Sequence, residues 1–499
     1  MSDTPTAPAT SATPANQDPP KYSAEANSAA FTIQSPTTAA EIQAIIDDMS
    51  AYFKTGVTLN PAFRKAQLQA LYDWLWDHLD DVLVALHADL GKAPQEGYET
   101  EVGLVLDEIR TMQKHLARWS APKRALTPLM HFPAKSTVYP TPYGVAAVLA
   151  PWNYPIQLCL VPLVDALTAG NVVLVKPSHT SAHTGALIER MCREVFDPRL
   201  VHCLFNLPNL NPNMEKIKVD FMFFTGSQRV GREVMGACAE NLTPLVLELG
   251  GKSPVFVDQT ADLKRTGQRI AWGKCLNSGQ TCVGPDYVLA HESIADELVE
   301  SIARSIEEDF GSDILHNPDY PHMISRHHFD RVCGLIDQRN PAATIAYGGA
   351  RDEATLRIQP TILRGVTLDD PVMNEEIFGP VLPVLTWKTL DEAMAVTEHF
   401  GHPLACYIFS NDRAFQQRII RQLPYGGGCV NDVVIHVANN HVGFGGFGNS
   451  GLGAYHGKCG FDTFTHYKSV MEKFNWLELP VRNAPFEPWK LGIVKLLLH

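Results

Sequence analysis

The run Val145-Ala146-Ala147-Val148-Leu149-Ala150 is followed, one helix-length later, by Asn171-Val172-Val173-Leu174-Val175. Both runs are short, apolar and uninterrupted, as strands covered on both faces are. Residues 155–169 between them read as a helix stopped by Gly170, and residues 184–195 as a second helix. Residues 200–205 and 221–224 continue as strands, and a further helix opens at Ser227. This alternation predicts a parallel, doubly wound α/β sheet of the Rossmann type. Such sheets bind ligands at the carboxyl ends of their strands. Asn153, Lys176 and Gly226-Ser227 each fall just past a strand end, which is the layout of a nucleotide site.

Outward from this centre the pattern changes twice. On the amino side, Ile42, Ile45, Ile46 and Met49, then Leu68, Leu71, Trp74 and Leu75, recur at helix spacing, and Gly91 is a natural stop. A third helix is predicted over residues 99–119, ended by Pro122. On the carboxyl side, a second α/β block has strands predicted at residues 254–257, 287–290, 381–386 and 406–409. Residues 1–36 are rich in Ala, Thr, Ser and Pro, hold Lys21 as their one basic residue, and have no apolar core-forming run. They read as a disordered tail rather than a secretory signal. The resulting division is a tail (1–36), a dinucleotide-binding domain (37–247), a catalytic domain (248–440) and a return segment with a C-terminal tail (441–499).

Length and composition bound the function. A chain of 499 residues is too long for one ordinary core. A net charge of −13 with no basic block argues against binding the phosphate backbone of a nucleic acid. No run approaches the roughly eighteen apolar residues of a membrane span. The ten Cys show no CxxC, and all but Cys282 read as small buried hydrophobes of a cytoplasmic protein. The nineteen His contain no HExxH, so no metal is expected, and His327-His328 reads as a solvated loop pair.

The chemistry centres on Asn277-Ser278-Gly279-Gln280-Thr281-Cys282 and, upstream, Leu247-Glu248-Leu249-Gly250-Gly251-Lys252. A thiol among small residues can attack a carbonyl carbon, and a carboxylate among glycines can activate the water that releases the product. Pro151-Trp152-Asn153-Tyr154-Pro155 sets an amide at a rigid turn, where it can donate to a developing oxyanion. An isolated Asn more often just satisfies its turn. In Phe224-Thr225-Gly226-Ser227, glycine permits close approach of a pyrophosphate and the following helix N-terminus supplies donors. Glu375-Glu376-Ile377-Phe378 offers a carboxylate for ribose hydroxyls and a ring to pack against the sugar. Gly443-Phe444-Gly445-Gly446-Phe447-Gly448 matches GxGxxG literally, but no clear strand feeds it, so it reads as a decoy.

Together these runs resemble the aldehyde dehydrogenase superfamily, from about Thr38 to the C-terminus. Gly279-Gln280-Thr281-Cys282 with Pro285-Asp286-Tyr287, and residues 448–457, resemble its class 3 branch of fatty, aromatic and coniferyl aldehyde dehydrogenases. The resemblance implies Cys282 as nucleophile, Glu248 as general base and Asn153 as oxyanion donor. It implies Trp152, Lys176, His179, Gly226, Ser227, Gly231, Glu376 and Phe378 around the dinucleotide. Tyr154, Leu158, Trp272, Thr281 and Ile435 fall where that branch lines its aldehyde pocket, and none is charged. His179 departs from the pattern, since the family usually carries Glu there. A Glu would bind ribose hydroxyls and repel a 2′-phosphate, so both NAD and NADP remain open. The implied reaction oxidises a hydrophobic aldehyde to its acid through a Cys282 thiohemiacetal and thioester. Parts of residues 131–143 and 455–473 are expected as strands bridging to a second copy, giving a homodimer with a tetramer second. A thiol esterase or acyltransferase that uses no dinucleotide, and a silent binding protein of the same fold, are the alternatives.

Overall fold

The computed structural model describes residues 38–205 and 217–498. Val145–Leu149 and Val172–Lys176 pair in parallel, with Leu149 opposite Lys176. They sit within a six-stranded sheet ordered Gly451–Leu452, Leu245–Leu249, Phe221–Gly226, Val145–Leu149, Val172–Lys176, Val201–Cys203. All neighbours are parallel except Gly451–Leu452, which lies antiparallel beside Leu245–Leu249. Glu248 is thereby flanked by Thr225 on one side and Gly451 on the other. Gln157–Ala169 is buried throughout, ten of its thirteen residues being apolar and only Gln157, Asp165 and Thr168 polar, and Gly170 ends it in the left-handed conformation.

The second block is a seven-stranded sheet ordered Thr344–Tyr347, Thr361–Arg364, Val381–Trp387, Tyr287–His291, Pro254–Val257, Ala405–Phe409, Gly427–Val430. Only Thr344–Tyr347 runs antiparallel to its neighbour. Both sheets are α/β in class, as the alternation predicts. A separate antiparallel sheet joins Lys123–Ala125, Ala134–Pro142 and Thr465–Lys473. The first part of the 455–473 segment is not strand but the helix Gly457–Thr463.

Two further readings need adjustment, those of residues 99–119 and of His327-His328. The helix predicted over residues 99–119 begins with a π-turn, Tyr98–Val102, before the α-helix Gly103–Ser120. Residues 443–448 neither follow a named strand nor open an α-helix; Phe444 makes a lone bridge to Tyr455. His327 and His328 are not in a loop. They lie in the first turn of the helix Arg326–Asp337, whose N-cap Ser325 accepts from the His328 N–H at 3.4 Å. The buried face Phe329, Val332, Cys333 and Ile336 holds that helix down. The expected tail, residues 1–36, lies outside the described residues.

Candidate active site

Cys282 is presented by a backbone that few sequences tolerate. The helix Leu263–Cys275 ends, and Asn277 (φ 50°), Ser278 (φ 52°) and Gly279 (φ 73°) follow in the left-handed region. A Cβ on Gly279 would lie 2.3 Å from the Gly379 carbonyl oxygen, so glycine is required there. Gln280 locks the turn: its amide donates to the carbonyls of Asn277 and His322, both at 3.0 Å, and its oxygen accepts from the Ile324 N–H at 3.0 Å. Strain of this kind persists where surrounding structure over-determines it. The result is a thiol that is partly accessible on a buried support.

Asn153 meets this loop directly. Its Nδ2 donates to the Gln280 carbonyl at 3.1 Å, and its own carbonyl accepts from Asn277 Nδ2 at 2.8 Å. The neighbouring Tyr154 hydroxyl bonds Thr281 Oγ1 at 2.6 Å. Asn153, Tyr154, Thr281 and Cys282 are thus one assembly. Leu158 is buried one helical turn further along, and Trp272 is half-buried on Leu263–Cys275. Ile435 lies on the turn Ile435–Ala438 and is 51% exposed.

Glu248 is 3% exposed, and neither carboxylate oxygen has a hydrogen-bond partner among the described residues. Burial alone pushes its pKa well above the carboxylate range. Burial also pushes the Cys282 thiol up to about 12, helped by the charges of Glu376 and Glu248 and opposed by N–H groups of Val283 and Cys282. Burial thus disfavours the charged form of both the thiol and the carboxyl. Glu376 folds over the end of the Leu245–Leu249 strand, where a Cβ on Gly250 would meet its Oε2 at 2.0 Å. Its pKa is pushed up to about 8, first by burial and then by Asp286. The segment carrying it is tied down by Lys252, whose Nζ bonds Asp286 at 2.5 Å and the carbonyls of Val372 and Glu375 at 2.9 Å. Asp286 in turn accepts from the Ile377 N–H at 2.9 Å.

A dinucleotide fits the adjoining edge of the six-stranded sheet. Gly226 ends its strand, and Ser227 caps the fourteen-residue helix Gln228–Asn241, its hydroxyl accepting from the Val230 N–H at 3.4 Å, so a helix start lies at this strand end. Lys176 ends a strand of the same sheet, and burial lowers its pKa. His179 is exposed beside it, its pKa lowered by partial burial and by the Lys176 charge. Trp152 packs edge-on against Phe378, with centroids 5.4 Å apart, and against His328 at 4.7 Å. Gly231 faces inward: a Cβ there would meet Leu249 Cδ2 at 2.6 Å, so the glycine lets the helix close on the sheet. Sequence reasoning missed His328, Lys92, Glu101 and Asn277. Only Ser325 three residues before His328, an N-cap signal, could have found the first.

The aldehyde dehydrogenase family profile matches residues 17–470. The 4,4'-diaponeurosporen-aldehyde dehydrogenase of Staphylococcus aureus is 42% identical over 440 residues, covering 88% of this chain and 95% of its own. The dimeric, NADP-preferring aldehyde dehydrogenase of Rattus norvegicus is 40% identical over 421 residues, covering 84% of this chain and 92% of its own. The substrate-bound structure of Staphylococcus aureus AldH superposes with a TM-score of 0.89 at 41% identity, covering 92% of this chain and 99% of that one. Family 3 members from Arabidopsis thaliana stand among the relatives too. With this fold and these matches, the chain belongs to the aldehyde dehydrogenase family, on its class 3 branch, and is an NAD(P)-dependent aldehyde dehydrogenase.

Proposed function

We propose that the protein oxidises a hydrophobic aldehyde, either a medium or long aliphatic one or an aromatic one, to the carboxylic acid. Cys282 is the nucleophile, Asn153 the oxyanion donor and Glu248 the general base. The observation that carries this reading is the hydrogen-bonded join between Asn153–Tyr154 and the Gln280–Cys282 loop, beside a buried carboxyl without a hydrogen-bond partner among the described residues. Cys282 gives its proton to solvent water, and the thiolate sulfur bonds the aldehyde carbon. The oxygen that gains charge accepts from the Asn153 amide and the Cys282 backbone N–H. The dinucleotide, held by the residues named below, would supply the hydride acceptor, and the two-electron oxidation of the adduct leaves an acyl thioester on Cys282. Glu248 then accepts a proton from water as its oxygen attacks the thioester carbon; the C–S bond breaks, the acid leaves and the thiolate is restored. Burial disfavours the Glu248 carboxylate, the form that acts as base. Hydrolysis therefore speeds up as pH rises through its titration.

Lys176, His179, Gly226, Ser227, Glu376, Phe378 and Trp152 are the residues proposed to hold the dinucleotide. Both NAD and NADP are accepted, because His179 lacks the negative charge that would reject a 2′-phosphate; the rat relative's name accords with NADP use. Tyr154, Leu158, Trp272, Thr281 and Ile435 form an uncharged aldehyde pocket, and the S. aureus relative is named for 4,4'-diaponeurosporen-aldehyde. A homodimer in the cytoplasm is the proposed state. All ten cysteines are unpaired, and the rat relative is named as dimeric. No helix among the described residues is long and apolar enough to cross a membrane. Light scattering at micromolar concentration tests the dimer, and a monomer would remove it.

An aldehyde panel read at the nicotinamide absorbance tests the substrate. Each buried methylene contributes about 0.8 kcal/mol, about fourfold in kcat/KM, while the pocket lasts. The expected order has hexanal and benzaldehyde above succinic semialdehyde, whose carboxylate finds no cation among the named pocket residues. Equal or faster oxidation of succinic semialdehyde would reject the hydrophobic pocket. Turnover of esters, with no NAD(P)H formed from any aldehyde, would favour the esterase alternative.

A further inference from the structure

The strongest unexplained feature is a buried ion pair that no step above employs. Lys92 is 1% exposed, directly after Gly91, and its Nζ lies 2.6 Å from Glu101 Oε1. The same ammonium donates to the Asn153 carbonyl at 3.2 Å and stands 3.8 Å above the centre of the Tyr154 ring. The other Glu101 oxygen accepts from the N–H groups of Ile156 and Gln157, at 2.8 and 3.1 Å, where the helix Gln157–Ala169 begins. Glu101 sits in the π-turn Tyr98–Val102, an irregularity common at functional sites. Two ions taken out of water are costly, and such a pair seldom survives for stability alone.

What the pair encloses is the backbone on both sides of Asn153. Lys92 holds its carbonyl from one side and Asn277 Nδ2 holds it at 2.8 Å from the other, while the Asn277 N–H is anchored on Glu96 Oε1 at 2.8 Å. Glu101 fixes the helix start three residues on. The Asn153 carbonyl therefore accepts two hydrogen bonds, which hold its peptide in place, and the side-chain amide keeps one N–H beyond the Gln280 bond that it can donate. A misplacement of about 1 Å at such a donor can cost about a hundredfold in rate.

We propose that Lys92 and Glu101 are positioning residues that act through Asn153, setting the oxyanion donor and, through the ring of Tyr154, one wall of the aldehyde pocket. This rests on the reading of Asn153 given above. The test is a coupling measurement on the full-length enzyme, with hexanal and NAD, following single-turnover NADH formation. Lys92→Met with Glu101→Gln removes both charges at similar volume and leaves no lone buried ion. Asn153→Ala should lower the rate by about 10²–10³. The charge-free pair should lower it by about 10–100-fold, with KM for NAD within about twofold of the parent. In the Asn153→Ala background the same pair should cost less than about threefold, because there is no donor left to misplace. An equal loss in both backgrounds, or a loss carried by KM for NAD, would overturn the inference. A parental rate for Asn153→Ala alone would instead remove the oxyanion role itself, and this inference with it. If the charge-free pair does not fold, Asn277→Gly supplies the second reading. It suits the left-handed backbone, removes the other donor to the Asn153 carbonyl, and should show the same non-additivity; independence from Asn153→Ala would again overturn the proposal.

Discussion

The resting protonation of the nucleophile gives a prediction that needs no substrate. Burial and the carboxylates of Glu376 and Glu248 hold the Cys282 thiol up to about 12. Each unit between pH and pKa is about tenfold in thiolate, so at pH 8 about one site in 10⁴ is charged. Only the thiolate attacks iodoacetamide. Labelling of the Cys282 peptide, followed by mass spectrometry in the enzyme without NAD(P), should therefore climb from pH 7 to 10 without levelling, about tenfold per pH unit except across the Glu376 titration, where the rise is shallower. Glu376 adds a second, signed expectation. Its own pKa is pushed up to about 8, so below that it is mostly neutral and leaves the thiol unaffected, and above it the carboxylate opposes a second negative charge nearby. Glu376→Gln should thus speed labelling by up to about tenfold at pH 9.5 and change it little at pH 6.5. A plateau below pH 8 would show that the thiolate is already formed. An equal factor at both pH values would show that Glu376 does not act through its charge.

Two further expectations follow from single positions. Partial burial and Lys176 hold the His179 pKa below its ordinary range, so the ring is neutral at pH 7 and gains charge only as pH falls further. NADP use relative to NAD should be comparable at pH 7 and improve towards pH 5, and His179→Glu should swing the kcat/KM ratio at least about tenfold towards NAD, since a bond to a charged group contributes about 1.5–3 kcal/mol; an unchanged ratio would place the residue away from the ribose. Gly279→Ala forces a Cβ to 2.3 Å from the Gly379 carbonyl at φ 73°, so it should lower stability by about 1–3 kcal/mol and slow Cys282 labelling, read by thermal unfolding and the same mass assay.

Much of this site was legible because its chemistry sits in contiguous runs. Val145–Leu149 and residues 172–175 are apolar at every position, as a doubly covered strand requires, and their ends locate Asn153 and Lys176 without any coordinates. Cys282 and Glu248 announce themselves through the glycines and small residues around them. The supporting shell was not legible, for a physical reason. Lys92, Glu101 and Asn277 meet across 61, 55 and 124 residues of sequence from the groups they hold, and each looks ordinary where it stands. Lys92 follows a helix stop, Glu101 sits in what reads as a regular helix, and a π-turn has no periodicity to betray it. His328 was misplaced because two adjacent histidines look solvated until the Ser325 cap and the apolar face behind them are counted. Local pattern reports local burial; it does not report which distant backbone a buried charge has been brought to hold.

In the proposed reaction Cys282 carries the acyl group and Glu248 releases it. Glu248→Gln mixed with NAD and hexanal, quenched and weighed as intact protein, measures this. The predicted result is a burst of NADH close to one per site, an added acyl mass on Cys282, and steady turnover reduced by about 10²–10⁴. A Glu248→Gln enzyme with neither burst nor acyl mass would contradict it.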